Sequence, residues 1–224
     1  MTSKLHPLTH LEHGLGLIGL VVTAYLIGSI LSALWASKLL GIKDPREYGS
    51  KNPGTTNIAR SKHPNAKLAT LLTLFLDITK GFVPVYYAQK FGYSTTCALL
   101  VGHVAIVGHL FPVFYNYRGG KGMATALGVL SAISKPLVLA NGLVWATTYW
   151  LLRISSLSSI TSVISIPFLF LLSNDLYQLT PAVMLICMFL LYKHLSNIYT
   201  LSLELYREYK QNLITNVQNL FTLR

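Results

Sequence analysis

Three polar stretches hold the residues whose types and spacing can do chemistry. Residues 49–60 read G-S-K-N-P-G-T-T-N-I-A-R. Glycine and proline at this density set tight turns, and glycine lets backbone amides approach a ligand closely. Successive amides in such turns form an anion-binding concavity. Lys51 and Arg60 add charge, and Arg60 can fork onto phosphate oxygens. Ser50, Asn52, Thr55, Thr56 and Asn57 offer hydroxyl and amide partners for a polar ligand. Alone, such a loop reads as a solvated turn between helices. A second stretch, Arg118-Gly119-Gly120-Lys121-Gly122, changes that reading. It lacks the G-x-x-x-x-G-K-[ST] spacing of a nucleotide-hydrolysing loop. Its physics is similar, because glycines free the amides, Lys121 supplies a point charge, and a following helix near Met123 aims its dipole there. The third stretch, residues 153–159, places Arg153 beside Ser155, Ser156, Ser158 and Ser159. Serines at such a point also serve as helix N-caps.

Outside the loops, Asp77 and Lys80 lie three residues apart within an apolar run, hence on one helical face. Charges at membrane depth pair and mark interiors, either functional or structural. His109 sits in G-H-L-F-P, where a packing histidine and a base are both open readings. His194 and Asn197 share a face near the end of the last apolar run. No histidine is followed, after four intervening residues, by aspartate in the H-x-x-x-x-D base arrangement of the common glycerolipid acyltransferases.

Composition fixes what positions these groups. The 224 residues are 52% hydrophobic and 11% charged, against about 25% charged for a soluble domain. The expectation is an all-α integral membrane protein forming one membrane domain over residues 1–224. A net charge of +11 would point to nucleic acid in a soluble chain. Here it points to anionic lipid and an anionic substrate, with no nucleic-acid partner. Cys97 and Cys187 lie in apolar runs and suggest neither disulfide nor metal spacing. No carboxylate cluster joins His6, His10 and His13, so no metal site is expected there, and no cofactor is expected. The first apolar run is too long for a cleavable signal peptide.

A polar arm, residues 1–13, precedes seven expected spans at about 14–40, 67–89, 94–116, 122–134, 137–152, 157–173 and 179–194. Residues 195–224 read as an amphipathic or loosely helical tail. Seven spans put the N-terminus outside and the three loops on the side of the C-terminus. Of the 18 lysines and arginines, all but Lys4, Lys90, Lys135 and the intraspan Lys80 then fall on the motif side. By the positive-inside rule that side is cytoplasmic.

Together the motifs resemble the bacterial membrane acylphosphate:glycerol-3-phosphate acyltransferase family (PlsY type). Ser50, Asn52, Pro53, Gly54, Thr56, Asn57 and Arg60 match its S-x-N-P-G-x-T-N-x-x-R motif. Its G-H-x-F-P-x-F and K-G-G-K-G-x-A-T elements are similar to Gly108 through Phe114 and Arg118 through Thr125, with Arg118 in place of a lysine. Arg153, Ser156, Leu157, Ser158 and Ser159 resemble R-x-x-S-L-S-S, and Asp77, Lys80 and Gly81 a D-x-x-K-G element. The departure is at the end: Leu195 and Thr200 stand where the pattern H-R-x-N-I-x-R-L has arginines, and a later Gly-Thr-Glu is missing.

The resemblance implies transfer of a fatty acyl group from acyl phosphate to glycerol 3-phosphate, giving lysophosphatidic acid and phosphate, in a bacterial inner membrane. The partners it implies are those substrates, the bilayer and the enzyme that supplies acyl phosphate. An activated donor relaxes the need for a protein base, so positioning and charge carry the rate. Ser50, Arg60, Lys121, Ser158, His194 and Asn197 are the expected catalytic residues. Asn52, Gly54, Thr56, Asn57, Arg118, Gly119, Gly120, Gly122, Arg153, Ser156 and Ser159 are expected to bind substrate, with Asp77, Lys80 and His109 accessory. Two other classes stay open: a silent paralogue that binds phosphorylated lipid precursors, and a transporter of a phosphorylated metabolite. A transporter would show repeat symmetry between halves, and the sequence shows none.

Overall fold

A computed structural model describes residues 10–222, and they form an all-helical bundle with no strand among them. The helices are α1 (His10–Gly28), α2 (Ser32–Leu39), α3 (Thr55–Ala59), α4 (Ala66–Lys90), α5 (Thr95–Leu110), α6 (Met123–Ile133), α7 (Lys135–Leu152), α8 (Ser155–Leu171) and α9 (Thr180–Thr222). Of the expected polar arm, residues 1–9, with His6, lie outside the described part, and helix begins within the rest of it.

The burial pattern is that of a protein in lipid. Leu15, Ile18, Leu71, Phe75, Leu139, Leu143, Trp150 and Met188 are all more than half exposed on the outer faces. The interior is built around α5, whose Leu99, Val101, Ala105, Ile106 and Leu110 are fully or nearly fully buried. Lipid tails do not drive apolar helices together, so close packing by small residues must do it. A Cβ on Gly81 would collide with the Thr125 carbonyl, and one on Gly128 with the Ile78 carbonyl. Glycine is therefore what brings α4 and α6 into backbone contact. Polar side chains tie α7 to α8. Asn141 donates to the Ser162 carbonyl at 2.8 Å and accepts from the Ser162 hydroxyl at 2.9 Å. Thr161 and Thr148 hydroxyls meet at 3.1 Å in the same seam.

Two expectations are corrected. The first apolar run is not one straight span: it breaks at residues 29–31, and α2 leaves α1 at 45°. A Gly-Ser pair, Gly28-Ser29, marks the break, a common cause of kinks. Freed backbone groups at membrane depth need partners inside the protein. Here Lys80 Nζ donates to the Ile30 carbonyl at 2.8 Å, and Ser29, fully buried, accepts from the Val113 amide at 3.4 Å. The second correction concerns the end of the last span, expected near residue 194; the segment beyond it is helical, as read. The last helix does not end there; α9 runs unbroken for 43 residues through the described part.

Among the described residues, three helical stretches are long and apolar enough to cross a membrane: Ala66–Lys90, Thr95–Tyr115 and Tyr177–Gln211. The bent pair α1–α2 makes a fourth if counted as one span. Helix α6, with 11 residues, rises only about 16 Å and packs against α4, α5 and α7.

Candidate active site

The first loop is organised from within by Asn57. Its side-chain amide donates to the carbonyls of Pro45 at 2.7 Å and Tyr48 at 3.1 Å, and its Oδ1 accepts from the Ser50 amide at 3.0 Å. At 1% exposure it is buried within the loop that it ties together. Gly49 turns at φ +55°, and a Cβ there would strike Asn57 Oδ1, so the loop closes only with glycine. Arg46 forks onto Asp44, with contacts of 2.7 and 3.1 Å, and that hydrogen bond holds the Asp44 carboxyl below its usual range. Gly54 precedes α3, and Arg60, exposed, ends it.

The glycine loop lies on His109. The Gly120 amide donates to the His109 carbonyl at 3.1 Å, and a Cβ on Gly120 would run into the His109 imidazole. Behind the ring is the buried pair Asp77–Lys80, 2.7 Å apart, with His109 Nδ1 3.7 Å from Asp77 Oδ1. The two sequence-flagged charges and the histidine are one cluster, and it reaches both the helix break at Ile30 and the glycine loop. Gly122, at φ +80°, turns the chain into α6.

The loops converge on an open cleft of about 500 Å³. Ser50, Lys51, Asn52 and Pro53 line it from the first loop, and Gly119, Gly120 and Lys121 from the second. Helix α9 contributes Tyr192, Lys193, Leu195, Ser196 and Asn197, and Phe111 completes the wall. Lys121 Nζ donates to Asn197 Oδ1 at 2.5 Å. Burial first, and the charge of Arg60 second, push the Lys121 ammonium down to about 8. Arg60 thus acts on the cleft electrically without being part of its wall. The third loop meets the first where the Thr56 and Ser155 hydroxyls stand 3.5 Å apart.

The sequence matches the family description "Glycerol-3-phosphate acyltransferase" over residues 18–203. The chain belongs to the glycerol-3-phosphate acyltransferase family. It is 41% identical over 183 residues to the glycerol-3-phosphate acyltransferase of Albidiferax ferrireducens, covering 78% of this chain and 80% of that one. It is 43% identical over 186 residues to that of Bordetella petrii, covering 80% and 86%. Its fold is similar to crystal structures of PlsY (YgiH), an integral membrane glycerol 3-phosphate acyltransferase. The glycerol 3-phosphate form superposes with a TM-score of 0.78 at 36% identity, over 84% of this chain and 93% of that one. The lysophosphatidic acid form gives 0.77 at 35%, with the same coverage.

In this acyltransferase-family chain the other expected residues are placed as follows. His194 is 2% exposed, and its Nδ1 lies 2.7 Å from the Leu190 carbonyl. A nitrogen facing a carbonyl carries the hydrogen, which leaves Nε2 with the lone pair. Arg118 and Arg153 are exposed, and Arg153 turns the chain out of α7 at φ +57°. Ser156 is half-buried in the first turn of α8. The serines do not cap that helix; Ile154 holds the N-cap position and makes no side-chain cap. Ser158 and Ser159 lie inside α8, buried, and donate to the carbonyls of Ile154 at 2.9 Å and Ser155 at 3.0 Å. Their hydroxyls serve the helix, and Ser159 also receives the Trp145 indole at 3.2 Å. Among the described residues, no three His, Cys, Asp or Glu side chains gather as a metal site.

Sequence reasoning missed the contributions of Tyr192, Lys193 and Ser196. The available signal was helical spacing: Lys193 lies one turn before Asn197.

Proposed function

We propose that this chain transfers a fatty acyl group from acyl phosphate to a hydroxyl of glycerol 3-phosphate, on the cytoplasmic side of a bacterial inner membrane. The observation that carries the reading is the Lys121–Asn197 contact in a cleft shared by two glycine-containing loops and α9. In the reaction the hydroxyl oxygen forms a bond to the acyl carbonyl carbon, and the bond from that carbon to the phosphate oxygen breaks. Phosphate departs with the electron pair, and the hydroxyl proton passes to a phosphate oxygen. Lys121 and the amides of the second loop left free beside Gly120 stabilise the oxyanions. Arg60 and the N-terminus of α8, with Ser156 and Arg153, add positive potential. Asn197 and His194 orient the glycerol phosphate. Ser50 and Asn52 supply further partners from the cleft wall. Asn57, Ser158, Ser159 and the Asp77–Lys80–His109 cluster hold these groups in place.

The topology that fits this reading has seven crossing segments, with α6 shielded by its helical neighbours so that its short length costs nothing against lipid. The N-terminus is then outside and the cleft faces the cytoplasm. Purified protein given acyl phosphate and glycerol 3-phosphate should release phosphate only when both are present. Acyl-CoA should not replace the donor, and Lys121→Ala should abolish release. Full release by Lys121→Ala would defeat the site assignment. No release by the wild-type chain would favour a silent binder, the reading supported by Leu195, an apolar side chain on the cleft wall.

A further inference from the structure

Lys193 is a cleft cation that neither glycine-containing loop supplies. Its i,i+4 spacing from Asn197 puts both side chains on one face of α9. The Lys193 ammonium stands 4.6 Å over the centroid of the Phe111 ring, a cation–π contact. Phe111 is itself anchored, since the Tyr25 hydroxyl donates to its carbonyl at 2.9 Å. The ion pairs among the described residues involve Lys43, Arg46, Lys80 and His109 and leave Lys193 without a carboxylate. A half-buried ammonium on the wall of an open cleft, with a ring as its neighbour and no carboxylate paired to it, is a charge held for a ligand.

The surroundings say which ligand. Phe111, Tyr192 and Leu195 line the same cleft. From there an apolar surface continues along α9, with Tyr192 59%, Leu195 55% and Tyr199 66% exposed. A cation at the edge of an apolar surface suits an anionic head joined to a long acyl chain. A small, wholly polar phosphate ester gains nothing from that surface. Two phosphoryl groups bring about −1.5 to −2 charges each, so a cation beyond Lys51, Lys121 and Arg60 still has charge to balance. Resting on the acyl-transfer reading above, we propose that Lys193 holds the phosphate of the acyl donor, while Lys121 and Asn197 face the acceptor.

The test is a binding measurement that needs no turnover. A non-hydrolysable long-chain acyl phosphonate and, separately, glycerol 3-phosphate are titrated calorimetrically into detergent-purified wild-type, Lys193→Met, Lys193→Gln and Lys193→Arg proteins. Loss of a charge-assisted contact should weaken phosphonate binding by about tenfold or more in the Met and Gln variants. Glycerol 3-phosphate affinity should stay within about twofold, and Lys193→Arg should keep most of the phosphonate affinity. Two neutral variants guard against one that fails to fold. Unchanged phosphonate affinity in a folded neutral variant overturns the proposal. An equal loss for both ligands also overturns it, because that is a general field effect. Failure of the acyl-transfer reading shows separately, as absence of phosphate release by the wild-type chain.

Discussion

The ammonium of Lys80 lies 2.8 Å from the carbonyl oxygen of Ile30, at the point where the first membrane segment breaks. The same ammonium pairs with Asp77 at 2.7 Å. One buried cation therefore satisfies a freed backbone group and a carboxylate at once. Removing it strands both.

Lys80→Met should accordingly destabilise the protein by roughly 3–5 kcal/mol, the cost of leaving a buried charge unpaired. Asp77→Asn combined with Lys80→Met should recover part of the loss, because the uncompensated carboxylate is gone. Thermal unfolding in detergent checks both. A single variant as stable as wild type would show that the pair does not support the break.

Acyl transfer should depend on Lys121 ionisation. The group sits at about 8, so it is charged below that pH and neutral above it. The free site loses an anion-binding cation as pH rises, and kcat/KM should fall above about 8. Bound phosphate favours the charged ammonium, so the kcat limb should lie at higher pH. Arg60→Met removes one cause of the depression and should move the kcat/KM limb upward. Initial rates from about pH 6 to 10 read both limbs. A limb unmoved by Arg60→Met would separate it from Lys121.

Gly120→Ala tests the seat of the second loop. The added methyl meets the His109 imidazole, whose Nδ1 stands 3.7 Å from Asp77 Oδ1, so the loop is expected to shift. Displacing a loop by about 1 Å costs on the order of 10²-fold in rate. We expect that loss in kcat/KM with a melting temperature close to wild type. Wild-type kinetics would show that the loop gives way freely.

Gly128→Ala probes the opposite kind of damage. The methyl would meet the Ile78 backbone, so α4 and α6 must separate. Overpacking of this sort costs about 1–3 kcal/mol. Here the melting temperature should fall while KM for glycerol 3-phosphate in the folded fraction is retained.

Much of this was legible from residue types. Glycine, cation and amide clusters marked the loops, and the Lys121 loop and Asn197 do share the cleft. The i,i+3 spacing of Asp77 and Lys80 announced their pair, because a helix fixes that geometry locally. The break at residues 29–31 was not read, since an uninterrupted apolar run hides it and only the Gly28-Ser29 pair hints at it. Asn57 and Ser158 look like ligand groups in the sequence. Each also hydrogen-bonds nearby backbone, a positioning role that composition cannot reveal. Lys193 was passed over because a cation at the end of an apolar helix also satisfies the positive-inside rule.

Helix α9 carries Lys193, His194 and Asn197 about a third of the way along its 43 unbroken residues. It is a rod without a joint. Turning it by one residue's worth would swing all three side chains about 100° around its axis together, so their mutual register is stiff while their common heading is adjustable. Torque applied to the far half, by a partner, a fused tag or an antibody fragment, is felt in the cleft as a change of aim.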